Sequence, residues 1–333
     1  MAQFDIVVVG DCNADLLVSG GDVVPAFGQA EQLVEAADLT IGGSGGIFAA
    51  GAARLGLRVA MIGVLGDDVF GRFMRESLTA RGVDMSAVRT DPRLPTGLSV
   101  NLIREDDRAI ITNPGTIPEL RSADIDPDLL ASARHVHVSS YFLQSGLWKG
   151  LPALLRGARD AGATVSLDPN WDPAETWDQG LTGLYGLLDV VLPNEAEAAG
   201  LARAAAGPPV SGPGVRRTPV EAALVLASAG PAAVVKRGAE GAIAAYPLPG
   251  GQLYRVPAVP GTSPVDAVGA GDSFDAGFLA ATLWGWDPRQ SLALGSACGA
   301  LSTRAAGGTA AQPGRDEAVA AAASLLGEAL PER

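Results

Sequence analysis

One short segment combines a carboxylate with small residues at the expected start of a helix. It reads Asp266-Ala-Val-Gly-Ala-Gly-Asp272 and is followed by a long apolar stretch. Gly269, Ala270 and Gly271 are small enough for close approach to the backbone, and the free N–H groups of a first helical turn attract anions. Asp272 would lie beside this anion hole, where a carboxylate can take a proton from an alcohol attacking phosphorus. A plain helix start with a capping Asp explains the same residues equally well.

A second glycine-rich segment, Ile41–Gly56, predicts another helix start that a polar ligand could reach. It opens with Gly42-Gly43-Ser44-Gly45-Gly46 and continues as an Ala- and Gly-rich stretch that can pack closely on a sheet. The alternative interpretation is a dinucleotide-binding fingerprint. That fingerprint requires G-x-G-x-x-G directly after a buried strand, and here the run follows a segment with no clear buried strand.

Buried strands that alternate with helical patterns would position these segments. Continuous apolar, β-branched runs predict strands at Phe4–Gly10, Arg58–Gly63, His135–Ser139, Thr164–Asp168, Val190–Pro193 and Ala232–Lys236. Helical periodicity separates most of them and continues after Asp266, at Ile47–Leu55, Val69–Arg81, Leu151–Ala161, Glu195–Leu201, Pro219–Ala229, Gly269–Trp284, Pro288–Ala305 and Arg315–Glu328. This alternation predicts an α/β fold, with a central, mostly parallel sheet and helices on both faces.

Two segments interrupt that alternation and predict a small separate sheet. Residues 15–38 and 94–114 lack long helical periodicity. Within the second, Leu98–Arg104 and Arg108–Thr112 flank a polar tip and predict a hairpin. We expect one domain over residues 1–333, with these segments as a β-sheet lid. Pro208–Gly214 is expected to be a surface loop.

Composition limits the functional class. The 333 residues are 47% hydrophobic, enough for a large core, and 24 Lys and Arg against 37 Asp and Glu give a net charge of −13. Nucleic acid is therefore not an expected partner, and any phosphate must be bound locally. Two cysteines form no disulfide framework, and the sequence shows neither a signal-peptide pattern nor a membrane-spanning stretch. We therefore expect a cytoplasmic location and no membrane partner.

Five elements in order give the chain a specific resemblance. The two glycine-rich motifs occur with Gly10-Asp-Cys-Asn-Ala-Asp15, Pro193-Asn194-Glu195-Ala196-Glu197 and Lys236-Arg-Gly238-Ala-Glu-Gly241. Together they resemble the signatures of the ribokinase-like (PfkB) carbohydrate kinase family, across nearly the whole chain. The resemblance implies ATP-dependent phosphorylation of a sugar hydroxyl, and the departures described below lead us to expect an unphosphorylated sugar.

The resemblance also implies residue roles. Asp272 would be the catalytic base, and the anion hole would consist of Gly269, Ala270 and Gly271. Substrate hydroxyls would be bound by Asn13, Asp15, Gly42 and Gly43. ATP would be bound by Asn194, Glu197, Lys236, Gly238 and Gly241, with Glu197 reaching Mg²⁺ through water. A monovalent cation such as K⁺ would lie beside Asp266 and Val268, with carbonyls of residues 304–308. The resemblance also implies that the lid is a candidate homodimer interface, since in relatives it can build one.

Several positions depart from the family's pattern and leave the substrate open. Ile47 stands where many sugar kinases of the family carry Asn, and Ser44 stands where ribokinase carries Lys. After Asp168-Pro-Asn170 the chain has Trp171-Asp172, where fructokinase-like and keto-deoxygluconate-kinase-like members often have an Arg. The pocket is thus expected to be less polar and less cationic than in those relatives, which argues against a phosphorylated or carboxylated substrate. A nucleoside kinase is the alternative, and a non-catalytic sugar or nucleotide sensor is a further one.

Other polar and aromatic residues have structural interpretations. His135 and His137 alternate on one strand and could share a metal, but no third ligand is evident and packing is the favoured interpretation. Trp171 and Trp177 could form a pocket wall or pack in the core. Cys298 is expected to be an inert core thiol.

Overall fold

A ten-stranded, mostly parallel sheet forms the centre of the molecule. The structure is a computed structural model and describes residues 2–21, 23–104, 107–206, 217–247, 251–261 and 264–331. Within these ranges the strands are β1 (Phe4–Val9), β2 (Ala14–Ser19), β3 (Ala36–Ile41), β4 (Val59–Gly66), β5 (Val83–Asp84), β6 (Val88–Asp91), β7 (Leu98–Arg104), β8 (Asp107–Asn113), β9 (Ala133–Val138), β10 (Thr164–Leu167), β11 (Val190–Val191), β12 (Ala232–Lys236), β13 (Ala242–Tyr246) and β14 (Gln252–Val256).

Helices connect most of the parallel strands. In the described residues they are α1 (Ser44–Arg54), α2 (Val69–Thr79), α3 (Pro127–Ala131), α4 (Leu151–Asp160), α5 (Glu195–Ala206), α6 (Pro219–Ser228), α7 (Ala270–Leu283), α8 (Pro288–Ser302) and α9 (Arg315–Leu326). The central sheet has the order β14-β13-β12-β11-β10-β9-β1-β4-β5, with β6 also paired to β4. Only its pairs β12–β13 and β13–β14 are antiparallel among the described strands. The predicted fold class is confirmed.

The core has two layers because strand residues alternate between the faces of the sheet. On β1, Ile6 and Val8 belong to the cluster that includes α1, α2, α7, α8 and α9. Val7 and Val9 belong to the cluster on the other face, which includes α3, α4, α5 and α6. A strand covered on both faces needs apolar residues at every position, which explains why β1 is continuously hydrophobic.

The small sheet predicted from the interrupted segments is also present. It has the order β3-β2-β7-β8, in which β2 pairs with β7 in parallel and the other two pairs are antiparallel. The predicted hairpin is confirmed by the pairing of Leu98 with Asn113. The hairpin tip at 105–106 and the predicted loop at 208–214 lie outside the described residues.

All six predicted strands and all eight predicted helices are found, with shifted ends. Ala232–Lys236 matches as predicted, and the strand expected at Arg58–Gly63 runs over Val59–Gly66. Sequence analysis missed β13 and β14, which extend the sheet as an antiparallel hairpin. The Ala-rich β13 has low intrinsic strand propensity, so its pairing with β12 and the burial of its first four residues stabilise it instead. No helix among the described residues is long and apolar enough to cross a membrane.

Candidate active site

A cavity of about 730 Å³ opens between the carboxyl ends of the central strands and the small sheet. Asp11 follows β1, Asp168 follows β10 and Lys236 ends β12, while Asn13, Ser99 and Thr112 come from the small sheet or the residues leading into it. In an open parallel sheet, loops at the carboxyl ends of the strands converge at one edge. The fold therefore brings polar residues that are far apart in the chain into one cavity.

The start of α7 forms one wall of this cavity. Gly269 precedes the helix with a φ of 69°, and a Cβ at that position would lie 2.7 Å from the Cα of Gly308. Gly269 therefore has both a left-handed backbone and a close contact that favour glycine. Gly269 and Gly271 line the cavity. Ala270 is not among its lining residues, and its N–H donates to the carbonyl of Ala267 at 3.3 Å.

Asp272 lies in the first turn of α7 and lines the same cavity. Its Oδ1 accepts a hydrogen bond from the Ser44 hydroxyl. Burial raises the pKa of Asp272 to about 7, and the negative charge of Asp168 adds to this, whereas the Ser44 hydrogen bond and Lys236 lower it. A carboxylate that titrates near neutrality can accept a proton from an alcohol at physiological pH.

The part of the cavity nearest the small sheet, the Asp15 end, contains Asn13, Asp15 and Gly43, with Gly42 directly behind. Asp15 is buried, and its Oδ1 accepts a hydrogen bond from Asn13 Nδ2 at 3.3 Å. Burial raises its pKa to about 7, and the charges of Asp11 and Asp272 add to the rise. A Cβ on Gly42 would lie 2.1 Å from Asp15 Oδ1, so only glycine leaves room for this carboxylate.

The opposite part, the Lys236 end, contains a buried lysine between two carboxylates. Lys236 Nζ donates to Asp168 Oδ2 at 2.8 Å and to Asp275 Oδ2 at 3.0 Å. Burial alone would raise the pKa of Asp168, but the charge and hydrogen bond of Lys236 hold it below its ordinary value. For Asp275 burial prevails, and its pKa lies well above the ordinary value. Lys236 is one of only two lysines in the chain.

The predicted Asn194 and Glu197 pair closes the first turn of α5. The N–H of Asn194 donates to Glu197 Oε2 at 2.8 Å, and the N–H of Glu197 donates to Asn194 Oδ1 at 3.0 Å. This reciprocal arrangement is a capping box, which fixes both side chains at the cavity wall. Burial and the nearby Asp168 raise the pKa of Glu197 to about 7.

The two glycines predicted for the nucleotide loop lie in different places. Gly238 lines the cavity beside Lys236. Gly241 is not among the lining residues. It has a φ of 82°, and a Cβ there would lie 2.1 Å from the Val256 carbonyl, so it shapes the turn between β12 and β13.

Asp266 anchors the loop that leads into α7. Its Oδ1 accepts from the N–H of Val268 at 2.9 Å, and its Oδ2 accepts from the N–H of Gly307 at 2.8 Å. Val268 lines the cavity. Both carboxylate oxygens thus hold backbone, and they tie the 304–308 turn to the segment before the anion hole.

Sequence analysis did not single out several residues at this site. Asp11 is buried and lines the cavity, Asp275 is buried against Lys236, and Arg108 on β8 lines the cavity. Asp11 directly follows a buried parallel strand, and Asp275 stands three residues after Asp272 in an apolar helix. Those positions were the available signals, because carboxyl ends of strands meet at one edge and i, i+3 residues share a helix face. The departures from the family pattern predicted a less cationic pocket, whereas Arg108 adds a positive charge to the cavity wall.

The two histidines and two tryptophans separate into packing and lining residues. His135 and His137 are buried and hydrogen-bond Ser166 at 2.7 and 2.8 Å, and burial lowers their pKa values to about 4 and 3. Their packing role is confirmed. Trp177 is buried, whereas Trp171 is 46% exposed and lines the cavity. Among the described residues, no group of three or more His, Cys, Asp or Glu could hold a metal ion.

Comparison with known proteins agrees with this arrangement. The profile of the pfkB family carbohydrate kinases matches residues 3–315. The chain belongs to this family. It is 31% identical over 327 residues to a fructokinase from Klebsiella pneumoniae, covering 94% of this chain and 97% of the relative. It is 29% identical to an ATP-dependent ribose-1-phosphate kinase from Halopiger xanaduensis, covering 89% and 91%.

A solved structure of a related kinase has the same fold. The ribokinase of Arabidopsis thaliana complexed with ribose and ATP superimposes with a TM-score of 0.77 at 26% identity, covering 97% of this chain and 99% of that one. The pfkB carbohydrate kinase described here is therefore an ATP-dependent phosphotransferase with the ribokinase fold.

Proposed function

We propose that this pfkB kinase transfers the γ-phosphoryl group of ATP to a hydroxyl of an unphosphorylated sugar. The observation that carries the proposal is the position of Asp272. It is a carboxylate with a pKa of about 7, in the first turn of a 14-residue helix, in the same cavity as Asp15 and Lys236. A base, an anion-attracting helix start and hydroxyl-binding groups in one cavity are what alcohol phosphorylation requires.

The reaction assigns one role to each part of the cavity. Asn13 and Asp15 would hold hydroxyls of the sugar, leaving one hydroxyl near Asp272. Asp272 accepts the proton of that hydroxyl as its oxygen bonds to the γ-phosphorus. The bond from phosphorus to the bridging oxygen breaks, and ADP leaves with the electron pair. The N–H groups at the start of α7 would stabilise the charge on the transferring group.

The residues at the Lys236 end fit Mg²⁺ carried with the nucleotide. Magnesium binds oxygen ligands, keeps several waters and commonly uses one or two carboxylates together with substrate phosphates. Glu197 is a buried carboxylate at the cavity wall, and its Oε2 is held by the N–H of Asn194. Glu197 and Asn194 would therefore bind the water shell of the ion. The ion would supply positive charge to the phosphates.

A monovalent cation near Asp266 is a further part of the proposal. The two oxygens of Asp266 already accept backbone N–H groups, so backbone carbonyls near Val268 and the 304–308 turn would supply the ligands and Asp266 the compensating charge. Such an ion would order the loop before the anion hole without touching the sugar.

The cavity also supports a second candidate, a nucleoside kinase. Trp171 stands half-exposed at the cavity and packs edge-on against Trp177 with ring centroids 4.9 Å apart. Ile47, Ile110, Ile117 and Leu143 line the same cavity. An exposed aromatic face with aliphatic neighbours can stack on a flat base as well as on a sugar ring.

An ATP-consumption screen decides between these acceptors. Purified protein with Mg²⁺-ATP would be tested against pentoses, hexoses, sugar acids, sugar phosphates and nucleosides. We expect the highest kcat/KM with an unphosphorylated sugar. A nucleoside optimum would select the second candidate, and a sugar-phosphate or sugar-acid optimum would assign Arg108 to an anionic substrate. Nucleotide binding without turnover on any acceptor would indicate a sensor.

We also propose a homodimer formed through the small sheet. β8 pairs only with β7 among the described strands, so it is an edge strand, and Ile110 and Ile111 on it are 52% and 61% exposed. An edge strand with exposed apolar residues is a surface that pairing would cover. Sedimentation of the wild type beside an Ile111→Lys variant would test it, and a wild-type monomer at micromolar concentration would contradict it.

A further inference from the structure

Helix α1 begins without a capping side chain of its own. The residue before it, Gly43, has a φ of 70°, and a Cβ there would lie 2.6 Å from Asn13 Oδ1. The first N–H groups of a helix need acceptors, and a glycine side chain provides none. The local sequence therefore leaves the start of α1 to be held by another part of the chain.

Asp11 provides that cap from the loop after β1. Its Oδ2 accepts from the N–H of Ser44 at 3.1 Å, and its Oδ1 accepts from the N–H of Gly45 at 2.9 Å. Its Oδ1 also accepts from the Ser139 hydroxyl at 3.2 Å. Asp11 is 4% exposed, so these bonds form away from water and fix the backbone of Ser44 to the central sheet.

Ser44 then contacts the proposed base directly. Its backbone is held by Asp11, and its hydroxyl donates to Oδ1 of Asp272, 228 residues later in the chain. Ser44 begins α1 and Asp272 lies in the first turn of α7, so their contact joins the starts of two helices. Asp11, in the loop after β1, holds the Ser44 side of this contact. Because one carboxylate oxygen is used by Ser44, the other is left to accept the proton of the substrate.

We infer that Ser44, fixed by Asp11, is a positioning residue that orients the carboxylate of Asp272 and keeps it charged. This inference rests on the proposed function, in which Asp272 is the base. Ser44 does not transfer a proton itself, since the carboxylate beside it is the stronger base. Its contribution is to hold one oxygen in place while the other reacts.

The charge on Asp272 depends on other groups as well. The titratable groups that face it from neighbouring elements are Asp11, Asp15, Asp168, Glu197 and Lys236, with Asp275 on its own helix. All but Lys236 are acidic and disfavour a further negative charge. The Ser44 hydroxyl favours the charged form, so its removal should move the titration of Asp272 to higher pH.

The experiment compares three variants across pH at saturating ATP and sugar. Saturation is required because Asp15 also has a raised pKa, and bound sugar occupies it in the measured complex. Ser44→Ala removes the hydroxyl, and Ser44→Thr keeps it. Ser132→Ala is the matched control, because that half-buried hydroxyl donates to the Leu129 carbonyl at 2.7 Å and does not line the cavity.

We expect the pH of half-maximal kcat to rise by about 0.5–1 pH unit in Ser44→Ala, the size that one hydrogen bond produces. Its plateau kcat should fall roughly 5- to 50-fold because the carboxylate is no longer oriented. Ser44→Thr and Ser132→Ala should follow the wild-type profile.

An Ser44→Ala profile that keeps the wild-type midpoint contradicts the inference, whatever the plateau. A Ser44→Thr profile that moves as far as that of Ser44→Ala contradicts it too. Failure of the proposed function is distinguishable, since it would leave Asp272→Asn active. In that case Ser44 would have no base to orient.

Discussion

The two ends of the cavity both bury carboxylates but compensate them differently. At the Lys236 end, the lysine contacts Asp168 and Asp275, and the pKa of Asp168 is held low. At the Asp15 end, Asp15 accepts from a neutral amide, Asn13, and its pKa rises to about 7. Arg108 lowers that pKa less than burial raises it.

This difference indicates which end is complete before substrate arrives. The charges of Lys236 and Asp168, with Asp275 hydrogen-bonded to the lysine, form a fixed network in which Lys236 also lines the cavity. Asp15 is buried, and the bonds described above leave part of its hydrogen-bond acceptor capacity unused. Substrate hydroxyls that bind there would offset the free-energy cost of burying the carboxylate. A site of this kind rejects analogues that lack the hydroxyl, since the carboxylate would then stay unpaired.

The largest expected effect comes from breaking the Lys236 end. Lys236→Met leaves two buried carboxylates without their cation, which costs about 3–5 kcal/mol in the free energy of unfolding. The loss should shrink as the pH falls into the acid range, because protonation of Asp168 removes the charge that Lys236 compensates. Denaturant unfolding with Lys149→Met, an exposed lysine, as the control measures it. A loss of stability equal to that of the control would show that Lys236 does not compensate the charge of the buried carboxylates.

The next effect concerns the Asp15 end. Asp15→Ala should raise KM for the sugar roughly 10- to 100-fold and leave KM for ATP close to the wild-type value, because an unmade hydrogen bond costs about 1–3 kcal/mol. Initial-rate kinetics with both substrates varied measure this, with the exposed Asp67→Ala as the control. Equal increases in both KM values would place Asp15 outside the acceptor site.

A smaller effect appears in stability against pH. In the folded protein Asp15 keeps its proton up to about pH 7, whereas the unfolded chain releases it at lower pH. The folded state thus binds more protons between these values, and this group's contribution to stability falls as pH rises. Asp15→Asn removes the penalty, so its Tm relative to wild type should increase by roughly 2–4 °C from pH 5 to pH 8.

At the Lys236 end, the expected pH dependence of stability has the opposite sign. The pKa of Asp168 is lowered, so its contribution to stability is present at neutral pH and lost only in acid. Asp168→Asn should therefore lower Tm at pH 8 and approach the wild type as the pH falls. Calorimetric scans of both variants at several pH values provide the test. Identical pH trends in the two variants would mean that the ends do not differ electrostatically.

The smallest effect concerns the monovalent cation. Potassium should raise kcat roughly twofold to fivefold over Tris at equal ionic strength, about 0.5–1 kcal/mol, with little change in either KM. An ordered anion hole acts mainly on the transition state, which is why kcat responds. Equal kcat values in potassium, sodium and Tris would leave Asp266 solely as the anchor of Val268 and Gly307.

The sequence predicted the frame of this site better than its charge balance. Continuous apolar runs such as Phe4–Gly10 predicted the parallel strands, and glycine positions predicted the start of α7. Lys236 contacts carboxylates that are 68 and 39 positions away in the chain, and Ser44 is capped by a residue 33 positions away. No local sequence pattern indicates contacts over such distances. Strand β13 was missed for a related reason, since its pairing with β12 and its burial stabilise it rather than local propensity.

The central claim is that Asp272 is the base for phosphoryl transfer, and the most direct measurement is the rate of sugar phosphorylation by Asp272→Asn. The amide keeps the shape of the side chain but cannot accept the proton. With nucleotide binding retained and Asp67→Asn as the control for an exposed Asp, kcat should fall by at least about 10²-fold at pH 8, where the wild-type carboxylate is charged. A kcat close to that of the wild type would contradict the account.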